Sequence, residues 1–373
     1  MVHDRFNITI IGAGVIGLAV AEELSRRYDG VLVLEKNEKF GQETSSRHSG
    51  VIHAGIYYPA DSLKARFCVE GNPILYEICA ERDIPHQKTG KLIVAVSDNE
   101  EAELLRLKAQ AEGNGVDTLS LLSRRQLQTL EPEVQARAAL FSPSTGIIDA
   151  HGLMRSFCVS AESRGATVVC RSEVTAIERD GPWWEITLNG GEYRFQSRIV
   201  INCAGLLSDG IAALAGIDPD REGYRLKYCK GDYFSLSPAP VLRHLVYPVP
   251  QEDIVGLGIH TTLDLGGRVR LGPDTEYVEA VDYRVDEDKQ RDFYRAVSRY
   301  LPGINEEYLH PDTSGIRPKL QGPGEPVRDY LIREESSRGH AGLINLIGME
   351  SPGLTACVPI ARHVATLVAP LLD

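Results

Sequence analysis

Six residues near the start of the chain leave little freedom to the fold: Gly12-Ala13-Gly14-Val15-Ile16-Gly17. The β-branched run Ile8 to Ile11 leads into them, Leu18 to Arg27 follows with Leu18, Ala21 and Leu24 at helical spacing, and Val31 to Leu34 is a second apolar run ending at Glu35. Strand, glycine turn, helix, strand and acid in that order make a βαβ unit, which commits its strands to a parallel sheet. The first glycine permits a tight turn, the second lets backbone approach a pyrophosphate, and the third lets helix pack on strand. The phosphates then sit at a helix N-terminus, where N–H groups and the dipole favour negative charge. Glu35 comes 23 positions after Gly12, where a carboxylate accepts both ribose hydroxyls and disfavours a 2′-phosphate, although Lys36 follows it. The competing reading is an ordinary Gly-rich turn, and the motif alone does not separate FAD from NAD.

The same α/β character returns twice. One stretch runs from about Asp149 to Gly216, with a helix over His151 to Arg164 and strands at Thr167 to Cys170, Val174 to Glu178, Trp183 to Leu188 and Arg198 to Asn202. The other is the tail, with a strand over Gly342 to Ile347 and a helix over Thr355 to Leu372. Between them lie a strand at 91–96 (KLIVAV), two segments opened by Ser97-Asp-Asn-Glu100 and Ser123-Arg-Arg-Gln126, which read as capping boxes, and Pro- and Gly-broken strands over 227–300. The expected class is α/β: a discontinuous Rossmann-like dinucleotide-binding domain (1–85, 145–225 and 315–373) with an inserted α+β mixed-sheet substrate domain (86–144 and 226–314).

Composition narrows the partners. With 40 basic and 52 acidic residues the net charge is -12, which argues against broad nucleic-acid binding, since a duplex requires a basic stripe. The seven cysteines are scattered without a Cys-x-x-Cys pair, reading as reduced structural thiols and, with no room for a signal peptide ahead of Phe6, as a cytoplasmic protein. No apolar run is expected to reach the ~20 residues of a membrane span. No metal-ligand spacing is present.

Three segments favour FAD: the extreme N-terminal position of the fingerprint, the small residues Cys203-Ala204-Gly205 closing a buried strand, and the loop Gly348-Met-Glu-Ser-Pro-Gly353-Leu354-Thr355 opening a helix that can face the N1/C2=O edge of a reduced flavin. The stretch Ser49-Gly-Val-Ile-His53-Ala-Gly55-Ile-Tyr57-Tyr58, continuing through Lys64 to Cys68, resembles the signature of the L-2-hydroxyglutarate dehydrogenase/oxidase family, within the D-amino-acid-oxidase-like FAD enzymes. Gly90-Lys91-Leu-Ile-Val-Ala95, Gly231-Asp-Tyr233-Phe, Leu245-Val-Tyr247-Pro248, Gly258-Ile-His260-Thr and Gly272-Pro273 extend the likeness over nearly the whole chain. The Met-Glu-Ser-Pro-Gly-Leu-Thr tail departs from the family's usual Asn-Ala-Pro-Ser-Pro type, which leaves the exact substrate open. The resemblance implies FAD held by Gly12, Gly14, Gly17, Glu35, Lys36, Thr44, Ser45, Ser46, Gly50, Val51, Val174, Ala204, Gly205, Gly353, Leu354 and Thr355. It also implies oxidation of the C2 hydroxyl of a small anionic 2-hydroxy acid, with a quinone (and then a place at the membrane periphery), an electron-transfer flavoprotein or oxygen as acceptor. Amino-acid or amine oxidation, glycerol-3-phosphate oxidation and a flavin-binding subunit without turnover are the alternatives.

Moving hydride from C2 to flavin requires the alcohol proton to be taken and the carboxylate to be held. His53, in a Gly/Ala-rich apolar turn, is the expected base, with a covalent flavin link or a core histidine as alternatives. Arg317, in Gly315-x-Arg-Pro, offers a fork to the carboxylate, with a surface or inter-domain salt bridge as the alternative. His260 is a second base or ligand, or a structural strand histidine. Tyr58, Lys64 and Tyr233 are candidates for the distal end of the substrate, and Lys64 reads equally as a solvated helix lysine. Arg124-Arg125 reads as a solvated face and Trp183-Trp184 as an edge-strand packing pair.

Overall fold

The computed structural model describes residues 4–250 and 258–372, and the chain forms two compact units. The first comprises Met1–Ser46, Ala150–Lys227 and Pro318–Asp373. Its central strand, Arg5–Ile11, runs parallel to Val31–Leu34 on one side and to Tyr193–Asn202 on the other. Thr167–Val169 extends the parallel sheet beyond Val31–Leu34, and Leu343–Ile347 extends it beyond the end of Tyr193–Asn202. Ile8, Ile10, Val33, Ile201 and Ile344 are fully buried, as a sheet covered on both faces demands. Val174–Asp180 and Trp183–Leu188 form an antiparallel meander on the first half of Tyr193–Asn202. Trp183–Leu188 therefore lies between two strands, not on an edge.

The glycine turn releases the helix Val15–Leu24, which packs on Ala150–Glu162 and on the last helix, Gly353–Leu372. Its one buried acid, Glu22, accepts from Ser160 Oγ at 3.0 Å and Arg26 Nη2 at 3.2 Å. Gly353–Leu372 corrects the expectation about apolar runs, since it is long and apolar enough to cross a membrane, although more than half of it is buried in the protein. It starts two residues earlier than its periodicity suggests, and Leu331–Glu334, absent from the sequence reading, pairs antiparallel with Leu343–Ile347.

The second unit comprises Arg47–Asp149 and Tyr228–Arg317. In its nine-stranded sheet Lys91–Ala95 runs parallel to Leu245–Pro248 on one side and antiparallel to Ala138–Ser142 on the other, and Asp98–Gly113 packs across Lys91–Ala95 and Ala138–Ser142. Residues 47–85 belong here and not with the first unit. Val51–Ile52 pairs with Gly146–Ile148, which pairs with His86–Gln87, and Val51, Ala54 and Ile56 join the core of Leu92, Leu140, Val246 and Leu271. Ser123 and Gln126 close a reciprocal capping box. At Ser97 the side chain makes no cap bond; Glu100 instead accepts from the Val96 N–H at 2.6 Å. Arg124 and Arg125 are exposed, as expected. None of the seven cysteines is in a disulfide, and all but Cys170 are buried.

Candidate active site

In the first unit the order of the strands reverses beside Arg5–Ile11: the next strands lie to one side of it and Tyr193–Asn202 to the other. In an open α/β sheet the crevice beyond the carboxyl ends of strands at such a point receives the ligand. Two of the glycine segments follow these two strands directly. Gly12 has φ +103, and a Cβ there would stand 2.5 Å from the Cys203 carbonyl oxygen. At Gly17 a Cβ would drive into the Gly12 carbonyl, and at Gly14 one would reach Ser45 Oγ at 2.9 Å. That hydroxyl accepts the Val15 N–H at 3.0 Å, so Ser45, in the turn Thr44–Ser46, orders the first helical turn.

Glu35 is buried with its carboxylate already oriented. Oε2 accepts the Ala13 N–H at 3.0 Å, and Oε1 accepts the backbone and side-chain amides of Asn37, each at 2.9 Å. The neighbouring Lys36 pairs with Glu43 at 3.1 Å. Ala204 and Gly205 are set by Asn202, whose Oδ1 accepts the Ala204 N–H at 3.2 Å while Nδ2 donates to Ser208 and Asn345. Val174 is buried at the first position of its strand, beside a register irregularity.

Ahead of Gly353, Leu354 and Thr355, all buried, the loop is held by a contact that sequence reasoning missed. Lys319 Nζ meets both oxygens of buried Glu350, at 3.0 and 2.9 Å, and Tyr330 donates to the Glu350 carbonyl at 3.0 Å. Glycine cradle, oriented acid and closed loop are the features that an adenine dinucleotide requires, and these residues fit FAD.

In the second unit a turn carries His53. Gly50 (φ +66) and Val51 precede it, and Val51 is buried in the pairing with Ile147. Three side-chain amides fix the backbone that follows: Asn72 donates to the His53 carbonyl at 2.9 Å, Asn114 to those of Gly55 and Tyr58 at 3.1 and 2.9 Å, and Gln110 to that of Tyr58 at 3.0 Å. None was legible in advance, because an amide on a helix face carries no motif. Lys64 is 3% exposed in the first turn of Leu63–Glu81, so it is not a solvated helix lysine.

The site's electrostatics are dominated by cations in an apolar setting. Burial first, then repulsion from Lys91, His260 and His48, lowers the His53 pKa to about 3. His260 is also lowered to about 3, by burial against the opposing pull of its bond to the Gly258 carbonyl, and further by Lys91 and Arg317. That bond, 2.9 Å from Nδ1, requires Nδ1 to carry the proton and makes Nε2 an acceptor. The His260 ring stacks on Tyr247 with centroids 3.7 Å apart.

Arg317 Nη2 donates to the Asp274 carbonyl at 2.7 Å, and Nη1 lies 3.4 Å from Thr275 Oγ1 and 3.6 Å from Cys229 Sγ. Gly231 leaves room for the guanidinium: a Cβ there would overlap Nη2 and stand 2.6 Å from Pro273 Cβ. Tyr233 is buried with its hydroxyl 3.5 Å from Ser49 Oγ. His53, His260, Arg317, Tyr233 and Lys91 thus form one electrostatically linked group. Tyr58 is half-buried at the end of the His53 turn. The role of Lys91 was missed, since KLIVAV reads as strand and nothing more.

The comparisons with known proteins agree in direction. A family model described as DAO, FAD dependent oxidoreductase, matches residues 7–367. The chain is 39% identical to a mitochondrial L-2-hydroxyglutarate dehydrogenase of Arabidopsis thaliana, over 97% of this chain and 83% of that protein. It is 27% identical to L-2-hydroxyglutarate dehydrogenase of Escherichia coli (strain K12), over 98% and 94%. Among solved structures, dithionite-reduced L-alpha-glycerophosphate oxidase from Mycoplasma pneumoniae with FAD bound matches with a TM-score of 0.87 at 26% identity, covering 98% of this chain and 95% of that one. Glycine oxidase from Geobacillus kaustophilus matches with a TM-score of 0.79 at 25% identity, covering 99% and 95%.

Proposed function

The chain belongs to the DAO family of FAD-dependent oxidoreductases, and from that premise we propose that it oxidises the C2 hydroxyl of L-2-hydroxyglutarate, or of a close 2-hydroxy acid, to the 2-keto acid. The observation that carries the reading is similarity to L-2-hydroxyglutarate dehydrogenases along almost the whole chain. The cationic, carboxylate-seeking character of the second unit's buried cluster supports it.

Gly12, Gly14, Gly17 and Ser45 would hold the pyrophosphate side of FAD, Glu35 the ribose, and the segments at Ala204-Gly205 and Gly353-Leu354-Thr355 the flavin end. Bound FAD supplies the acceptor for the hydride that leaves C2. Arg317 grips the C1 carboxylate with its fork and so fixes which face of C2 is presented. His53 takes the hydroxyl proton. Its pKa near 3 belongs to the substrate-free cluster. An anion bound among Lys91, Arg317 and the histidines offsets the repulsion and attracts the imidazolium, and both effects raise that pKa against the burial that lowers it. His260 Nε2 accepts a hydrogen bond from the substrate, and Tyr233 and Lys64 contribute to holding it.

The onward acceptor is a quinone, an electron-transfer flavoprotein or oxygen, and reoxidation of the reduced protein by each ranks them. We place the activity in the cytoplasm, at a membrane surface if the acceptor is a quinone. The test is anaerobic flavin bleaching by a panel of L-2-hydroxy acids, glycine, L-proline and glycerol 3-phosphate. Fastest bleaching by L-2-hydroxyglutarate is expected. Bleaching by an amine or by glycerol 3-phosphate alone would overturn the assignment.

A further inference from the structure

Lys91 is 1% exposed on the strand Lys91–Ala95. Its ammonium lies 4.5 Å from the centre of the Tyr57 ring and 4.8 Å from that of Tyr247, and Tyr247 in turn stacks on His260. Among the described residues no carboxylate forms an ion pair with it. The buried Tyr57 hydroxyl likewise has no hydrogen-bond partner among the described residues. A buried lysine is normally paired, because desolvating an ammonium is expensive and two aromatic faces return only part of the loss. Lys230, 7% exposed, follows that rule by pairing with Asp232 at 3.4 Å, and the less buried Lys319 pairs with Glu350. Lys91 is therefore a cation held ready beside His260, with a phenol next to it that can still donate.

We propose that Lys91, with the Tyr57 hydroxyl, binds the distal carboxylate of a dicarboxylic 2-hydroxy acid and so selects dicarboxylates over monocarboxylates, an inference that rests on the functional reading above. Arg317 and Lys91 both act on His260. A substrate with a carboxylate at each end neutralises both. A monocarboxylate leaves the Lys91 ammonium buried and unpaired, and a site left with an unmatched buried polar group rejects the analogue strongly. Burial also lowers the Lys91 pKa to about 7, and an arriving carboxylate holds it charged.

The test compares wild type with Lys91→Met and Lys91→Gln by anaerobic flavin reduction with L-2-hydroxyglutarate and with L-2-hydroxyvalerate, which replaces the distal carboxylate by a methyl. Glutarate and butyrate, which carry no hydroxyl to oxidise, are titrated in parallel against the flavin spectrum. Wild type should favour the dicarboxylate in both assays. Both variants should lose roughly 30-fold or more in kcat/KM for L-2-hydroxyglutarate and in glutarate affinity, while the change for L-2-hydroxyvalerate and butyrate is several-fold smaller, and full flavin content shows that the variants are folded. Equal losses for both substrates, or a preference that survives both substitutions, would overturn the role of Lys91 alone. Wild-type flavin that L-2-hydroxyglutarate fails to reduce would overturn the functional reading, and this proposal with it.

Discussion

The room that Gly231 leaves for Arg317 can be tested by filling it. A methyl group at this position would overlap Nη2 of the guanidinium and stand 2.6 Å from Pro273 Cβ and 3.0 Å from the Asp274 carbonyl oxygen. Ordinary contact between carbon atoms is about 3.5–4.0 Å, so the guanidinium, the most mobile of the three, must retreat by roughly 1 Å and give up its 2.7 Å bond to the Asp274 carbonyl. The fold loses about 1–3 kcal/mol to overpacking. The larger effect falls on catalysis, because a misplacement of about 1 Å can cost roughly 100-fold when it misaims the reacting carbon. Gly231→Ala should therefore bind FAD with normal absorbance, melt a few degrees lower, and show kcat/KM for the 2-hydroxy acid reduced by about two orders of magnitude. Arg317→Lys should behave similarly, since a point charge cannot replace the fork. An unchanged kcat/KM in Gly231→Ala, with Arg317→Lys impaired, would refute the steric argument.

Gly17→Ala forces a methyl into the Gly12 carbonyl, where rigid backbone cannot yield, so the purified variant should be colourless; its ratio of flavin to protein absorbance checks this. Glu350→Gln leaves Lys319 buried without its countercharge, and about 3–5 kcal/mol of stability should disappear in chemical denaturation, with Lys319→Met/Glu350→Leu recovering most of it. Lys91 should make catalysis and stability respond to pH in opposite directions. With its folded pKa near 7 and an unfolded value near 10.4, the unfolded chain binds more protons between those limits, so the Lys91 penalty is full below about pH 7 and fades as pH rises toward 10. Lys91→Met should accordingly be more stable than wild type by a few kcal/mol at pH 6 and equal to it near pH 10. The dicarboxylate preference should decline above pH 7. In the substrate-free protein His53 and His260, near 3, and Tyr57, Tyr247 and Cys68, all raised by burial, lie outside pH 5 to 9, and the difference between wild-type and Lys91→Met profiles isolates Lys91.

Local rules carried much of the sequence reading and failed where tertiary packing decided. The parallel sheet was legible because a strand, a glycine turn and Glu35 follow one another within 35 residues. Arg317 stood out because Gly315 and Pro318 bracket it. Lys64 reads equally as a substrate ligand or a solvated lysine and Lys91 as one more strand residue in a linear chain, and only the fold shows that both are buried. Glu350 and Lys319 are 31 residues apart, with no periodicity to link them. Residues 47–85 were assigned to the wrong unit because the glycine-rich run leads straight out of the nucleotide segment, while the partner that captures it, Gly146–Ile148, lies almost 100 residues downstream.

The first unit's sheet also constrains how the protein can be made. Arg5–Ile11 finds one neighbour at Val31–Leu34, but its other side waits for Tyr193–Asn202, and that strand in turn waits for Leu343–Ile347. The helix Val15–Leu24, buried almost throughout, is covered by Gly353–Leu372. During synthesis the glycine turn therefore waits for the helix that covers it while more than 300 further residues are added. Such non-local pairing is slow and leaves apolar strand edges open in the interval. A nascent chain of this kind depends on something to shield those edges until the final helix arrives. Removing that helix should therefore deplete the protein from cells through aggregation of the newly made chain, a loss felt well before any change in turnover could be measured.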